Sequence, residues 1–151
     1  RTAPEGDNQR EYLKQYFEEH IVKRKITNWE SEYNTSFQIT TSTDDTWIHH
    51  DHTTNWAAVL YLTPNAPVDS GTGIYRNIES GKYFYSPEDE IDYNENDDCR
   101  DLTKWELIDQ CANIYNRLFV YDANLYHRSI VPGFGKSKED ARLFQTFFFN
   151  T

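Results

Sequence analysis

Four of the five histidines in this chain stand where metal chemistry could use them: His49, His50 and His52 surround Asp51 in one short run, and His127 lies alone much later. The fifth, His20, belongs to the leading segment. In extended backbone, side chains two apart share a face, so His49 and Asp51 point one way while His50 and His52 point the other. Two ligands on one face can grip one ion. His127 would complete a set of two imidazoles and one carboxylate, which on ferrous iron leaves the opposite coordination positions open for a co-substrate and dioxygen. Taken alone, a His-x-Asp step arises by chance on surface strands, and a lone strand-end histidine is usually an ordinary hydrogen-bonding group. The combination carries the reading. His50 and His52 are expected to face outward or to support the ligands.

A second requirement of such chemistry is a cation that fixes the far end of a dicarboxylate chelating through its near end. A guanidinium does this best, because its planar fork matches a carboxylate. Arg142 lies fifteen residues after His127 and opens the apolar run RLFQTFFF, so it can project into the same space from a neighbouring strand. Tyr61 could add a hydroxyl to that carboxylate, and Lys136 and Lys138 are lesser candidates for the cation. Arg76 could contact substrate. Arg128 adjoins His127 and should point away from it. The plainer reading of Arg142 is a solvated cation on an acidic protein.

These residues need a scaffold. Tyr12, Leu13, Tyr16, Phe17 and Ile21 recur at helical spacing and predict one amphipathic helix from Asp7 to about Lys25. Strand character then dominates: Ser36 to Thr41 and Trp47 to Asp51 read as short strands, and Trp56 to Leu62 as one buried on both faces. Ile74 to Asn77, Arg117 to Tyr121 and Ala141 to Phe149 add three more, the last expected to give core through Phe147 to Phe149. Trp105 to Ile114 reads as a short helix. Ser86 to Asp101 is dense in Asp and Glu with almost no aliphatic residues, so it is expected to be an exposed excursion, with a substrate-covering lid as the sharper alternative. Gly133 and Gly135 punctuate the loop before Arg142. The whole predicts a mainly β (α+β) domain over residues 1–151: helical support at 1–35, then a jelly-roll core at 36–151 with an acidic insertion near 86–104. No internal repeat is visible.

Composition narrows the partners. A formal charge of -10 repels phosphate backbones and no basic run marks a groove, which argues against nucleic acid. No stretch approaches the roughly 20 apolar residues of a membrane span. Aromatics make up 16% of the chain, enough to build a Tyr, Phe and Trp core. Two cysteines, Cys99 and Cys111, do not make a disulfide framework, so a reducing, cytoplasmic compartment is the expectation. The chain opens on Arg1 and not Met, as a piece of a longer one would.

The order of I-H-x-D, W-A-A-V-L-Y-L-T, G-T-G-I-Y-R, N-R-L-F-V-Y-D-A-N-L-Y-H and R-L-F-Q-T-F-F-F resembles the 2-oxoglutarate and Fe(II)-dependent oxygenase superfamily, nearest its prolyl-4-hydroxylase-like branch. The resemblance runs from about Phe37 to Phe149. It implies a double-stranded β-helix with Fe(II) on His49, Asp51 and His127 and 2-oxoglutarate anchored by Arg142, and it admits ascorbate beside them. Asn116 to His127 is similar to the segment that delivers the distal histidine, and Gly71 to Arg76 to the family's glycine-leading strand. The implied reaction hydroxylates a C–H bond of a prolyl-like peptide or a small molecule, releasing succinate and CO2. Two features depart from the pattern: the loop between His127 and Arg142 is longer, and no serine follows Arg142 at two-residue spacing. A cupin-like metal dioxygenase without 2-oxoglutarate, a metal-dependent hydrolase and a non-enzymatic jelly-roll binding module are the alternatives.

Overall fold

The computed structural model describes residues 7–30, 33–51, 53–89, 92–94 and 97–151, and His52 lies outside them. The leading segment forms α1 (Asp7–Tyr16), continued by one π-helical turn at Phe17–Ile21. Regular winding therefore ends before Lys25, where the Val22 N–H closes onto the Phe17 carbonyl. Seven strands follow: β1 (Phe37–Thr40), β2 (Trp56–Tyr61), β3 (Thr72–Asn77), β4 (Trp105–Cys111), β5 (Leu118–Asp122), β6 (His127–Ser129) and β7 (Arg142–Phe149). They build two antiparallel sheets, one ordered β1-β7-β2-β5 and the other β4-β3-β6. Between β1 and β2 the chain bridges to β6 at His49. Counting that visit, it changes sheet at every connection except the one from β3 to β4.

The larger sheet has two apolar faces because the side chains of its central strands alternate. On one face Ala58, Phe147 and Phe149 meet Phe17, Ile26 and Trp29, so the helical segment covers this side of the sheet. Phe17 lies 4.8 Å from the Phe147 ring and 5.7 Å from that of Phe149. Burying each such side chain contributes about 1.5–3 kcal/mol. The other face carries Ala57, Val59, Tyr61 and Tyr121, with Phe144 and Phe148 packed against them. Phe147 and Phe149 are thus core as expected, whereas Phe148 turns to the opposite side and lines a cavity.

Three expectations change. Residues 105–111 form a strand and not a helix, paired along its length with β3. The register shifts between Ile74 and Tyr75, whose partners are Asp109 and Leu107, leaving Ile108 as an extra residue. That bulge places Leu107 and Ile108 side by side and breaks the period of two, so the sequence imitates a helical pattern. Trp47 to Asp51 is extended but makes no ladder, only the single bridge at His49. Part of the acidic stretch is core: Tyr93 and Cys99 are buried, and Tyr93 packs edge-on against Trp105 and Tyr126 at 5.0 and 5.4 Å. A tyrosine and a cysteine inside a charged run supply apolar surface that average composition conceals. Both cysteines are free thiols, and no helix among the described residues is long and apolar enough to cross a membrane.

Candidate metal centre

Backbone pairing brings the three candidate ligands together. The His49 N–H donates to the His127 carbonyl at 3.0 Å and the His127 N–H returns a bond to the His49 carbonyl at 2.8 Å. Residues paired in this way put their side chains on the same face. Asp51, two residues on, donates its N–H to the Ala123 carbonyl at 2.7 Å, which keeps the segment extended and its side chain beside that of His49. The imidazole centroids of His49 and His127 are 4.4 Å apart, and one candidate ligand atom from each of His49, Asp51 and His127 lies within 4.8 Å of the others.

The hydrogen bonds also choose which nitrogens face the cluster. His49 Nδ1 lies 2.9 Å from the Trp47 carbonyl and His127 Nδ1 2.7 Å from the Leu125 carbonyl. A carbonyl only accepts, so each ring carries a proton on Nδ1 and offers the lone pair of Nε2, an arrangement typical of histidines that ligate metals. His127 Nε2 then stands 3.2 Å from Asp51 Oδ2. Two lone pairs that close repel, so the gap holds either a proton, as a His127 Nε2–H bond to the carboxylate, or a metal ion in its place. Neighbouring donors on an octahedral ion with bonds of about 2.1 Å are about 3 Å apart, so this spacing suits a shared ion. The protonation states suit it as well. Burial, then the charge on His127, pushes the His49 pKa down to about 4, keeping that ring neutral at pH 7. Burial works against the Asp51 carboxylate, but its bond with His127 and the charges of His127, His49 and His50 outweigh this and hold its pKa below the usual value.

The cluster opens on a cavity of about 320 Å³ whose lining comes from both sheets. Arg142, the first residue of β7, lines the same space and is 1% exposed. Its Nη1 donates to Ser129 Oγ, and the guanidinium lies over the Phe144 ring at 4.6 Å. Its Nε has no hydrogen-bond partner and no acidic side chain pairs with it among the described residues. Burial lowers the pKa of Arg142, yet a guanidinium stays charged. Such a cation costs several kcal/mol to bury and calls for an anion. Thr40, directly across the strand pair from Arg142, also lines the cavity, and its buried Oγ1 has no partner among the described residues.

Other candidates fall elsewhere. Tyr61 is fully buried and is not among the residues that line the cavity; the Arg142 guanidinium lies 5.8 Å from its ring, and its hydroxyl donates to Thr72 Oγ1 at 2.8 Å, a residue that does line it. Arg76 is exposed and forms an ion pair with Glu106 at 2.9 Å, away from the cavity. Lys136 and Lys138 are exposed and do not line it. Arg128 is buried at the cavity edge, with its guanidinium spent on the carbonyls of Ser129 and Ile130 at 2.8 and 3.2 Å. His50 faces the other way, as expected: it is buried, stacks on Tyr85 at 4.0 Å, and holds Asp92 through Nε2 at 3.0 Å.

Tyr121, Thr40 and Ser129 are site residues that the sequence did not single out. Tyr121 lines the cavity and meets the His127 ring edge-on at 4.7 Å. Burial, then the Asp51 carboxylate, raises its pKa well above the ordinary phenol value while Arg142 pulls it the other way, so its hydroxyl senses both ends of the cavity. Alternation in Leu118 to Tyr121 puts Phe119 and Tyr121 on one face, which is a readable signal, but which face turns inward is not. The long loop after β6 is held close to β1 by Gly133, where a Cβ would lie 2.5 Å from the Thr41 carbonyl oxygen. No curated protein matches the sequence. A model of a family of unknown function, DUF6445, matches residues 10–149, and the chain belongs to that family.

Proposed function

We propose that this protein is a non-haem Fe(II)- and 2-oxoglutarate-dependent oxygenase on a jelly-roll, or double-stranded β-helix, scaffold. The observation that carries the reading is that one cavity holds both a two-histidine, one-carboxylate cluster and a buried guanidinium with no acidic partner among the described residues. The scaffold assignment draws support from a chain that crosses between its two antiparallel sheets at nearly every connection. His49, Asp51 and His127 would hold the iron on one side, and Arg142 the remote carboxylate of 2-oxoglutarate. With both bound, dioxygen is activated, 2-oxoglutarate is oxidised to succinate and CO2, and one oxygen atom enters a substrate C–H bond.

The protein's own residues do the positioning. The Nδ1–H bonds of His49 and His127 to backbone carbonyls fix both rings, and the Asp51 carboxylate supplies negative charge against a divalent ion. Phe144, Phe148 and Val59 give the cavity part of an apolar lining. A cavity of about 320 Å³ lies at the small end for ligand pockets, which favours a compact substrate or a single side chain of a peptide. Trp47, 38% exposed and 6.0 Å from the His49 ring, offers that substrate an apolar surface at the opening.

The direct test is succinate release from purified protein supplied with Fe(II), dioxygen and 2-oxoglutarate. Slow turnover is expected even without the primary substrate, and none when the metal or 2-oxoglutarate is omitted. Metal-dependent oxygen uptake that ignores 2-oxoglutarate would instead identify a cupin-like dioxygenase.

The hydroxyl beside the guanidinium falls to Thr40. Thr40→Val is expected to raise the 2-oxoglutarate requirement about tenfold, the worth of one hydrogen bond to a charged group. Tyr61→Phe is expected to leave that requirement nearly unchanged while lowering unfolding free energy by about 1 kcal/mol, through the lost bond to Thr72. Titrations of 2-oxoglutarate and urea unfolding curves on both variants would tell them apart, and the reverse pattern would return the role to Tyr61.

A further inference from the structure

The segment carrying His49 and Asp51 has no second strand beside it among the described residues, yet every backbone N–H from Ile48 to Asp51 is paired. From Ile48 to Asp51 the four N–H groups alternate between two partners. His49 and Asp51 donate to the carbonyls of His127 and Ala123 around β6, as described above. Ile48 and His50 donate to the opposite side, Ile48 to the Cys99 carbonyl at 3.0 Å and His50 to Asn94 Oδ1 at 3.0 Å. Asn94 answers with its own Nδ2, which donates to the His50 carbonyl at 3.0 Å. One carboxamide thus makes both bonds that a residue of an adjoining strand would make to His50.

The turn that presents Asn94 is itself fastened at His50. Asp92 Oδ1 accepts the Asn94 N–H at 2.8 Å and lies 3.0 Å from His50 Nε2. His50 stands between the two candidate ligands His49 and Asp51 in the chain and links them directly. A carboxamide has the donor and the acceptor side by side in one plane, so it fixes the peptide orientation at His50 and with it the angle between the side chains on either side.

We infer that Asn94 is a positioning residue for the metal centre, acting as a side-chain substitute for a missing strand that holds the His49–Asp51 segment in the geometry needed to grip an ion. The inference rests on the metal reading above. It also gives the acidic stretch a role other than a lid: the turn at Asp92 to Asn94 is a clamp behind the candidate ligands, on the side of the segment away from the cavity.

The experiment is anaerobic titration with Fe(II), and with Co(II) for its ligand-field absorption, of wild-type protein, Asn94→Leu and Asn94→Gln, beside thermal unfolding without metal. Leucine keeps the volume and removes both bonds; glutamine keeps the carboxamide but displaces it by one methylene. Asn94→Leu is expected to weaken metal binding about 10- to 100-fold, as outer-shell changes do, and to alter the Co(II) spectrum, with metal-free unfolding shifted far less. Asn94→Gln should fall between it and wild type. Wild-type affinity and spectrum in both variants would overturn the clamp while leaving the metal reading intact. Should Asn94→Leu not fold, wild-type affinity in Asn94→Gln overturns it alone. A wild-type protein that binds neither ion overturns the metal reading, and the clamp with it.

Discussion

His127→Ala is expected to abolish Fe(II)-dependent succinate formation and to weaken Fe(II) binding by more than about 100-fold, the upper end of what changes outside the ligand set cost. The substitution removes one of the three candidate ligands and the only one contributed by β6. It also leaves Asp51 without the neighbour that holds its carboxylate 3.2 Å away. Folding should survive, because β6 is joined to His49 through main-chain groups and to Thr72, Gly73 and Ile74 through the β3 ladder, none of which needs the imidazole. Thermal unfolding of the metal-free variant should therefore stay near wild type while the stabilisation that Fe(II) gives the wild type disappears, since an ion that binds only the folded state raises stability by mass action. Equal Fe(II) affinity in the two proteins would remove His127 from the ligand set.

Arg142→Met should separate function from stability with opposite signs. Removing a buried guanidinium that meets a carboxylate costs about 2–4 kcal/mol, so the 2-oxoglutarate requirement should rise about 30- to 1000-fold. Without 2-oxoglutarate, however, the wild type carries a 1%-exposed cation with no acidic partner among the described residues. Methionine has similar length, packs well beside Phe144, and relieves that desolvation. The metal-free variant is therefore expected to melt a few degrees above wild type, each kcal/mol being worth about 2–4 °C in a chain of this size. Arg142→Lys should keep the charge but lose the bidentate fork, giving an intermediate requirement. A lower melting temperature together with an unchanged requirement would make Arg142 a structural residue tied to Ser129 and the Phe144 ring.

The two substitutions are informative together because they address opposite ends of one cavity. Loss of metal binding in His127→Ala with normal metal binding in Arg142→Met is the pattern a divided site requires. A variant at either end that damages both functions equally would point to collapse of the cavity.

The sequence by itself determined the local periodicities. Alternation in RLFQTFFF was enough to put Arg142 on one face of a strand and Phe147 and Phe149 on the other, and His-x-Asp in extended backbone was enough to put two candidate ligands side by side. The helical spacing of Leu13 and Phe17 was legible for the same reason, since each pattern depends only on residues a few positions apart. The tertiary structure alone decided what meets across long separations. It turned 105–111 into a strand, because β3 offered a partner and a bulge at Ile108 disguised the alternation. It brought Thr40 and Tyr121 into the cavity, because which face of a strand looks inward depends on how two sheets stack. It buried Tyr93 and Cys99 inside an acidic run and gave Asn94 a strand's place beside His50, because an isolated extended segment must satisfy its backbone with whatever the fold carries alongside it.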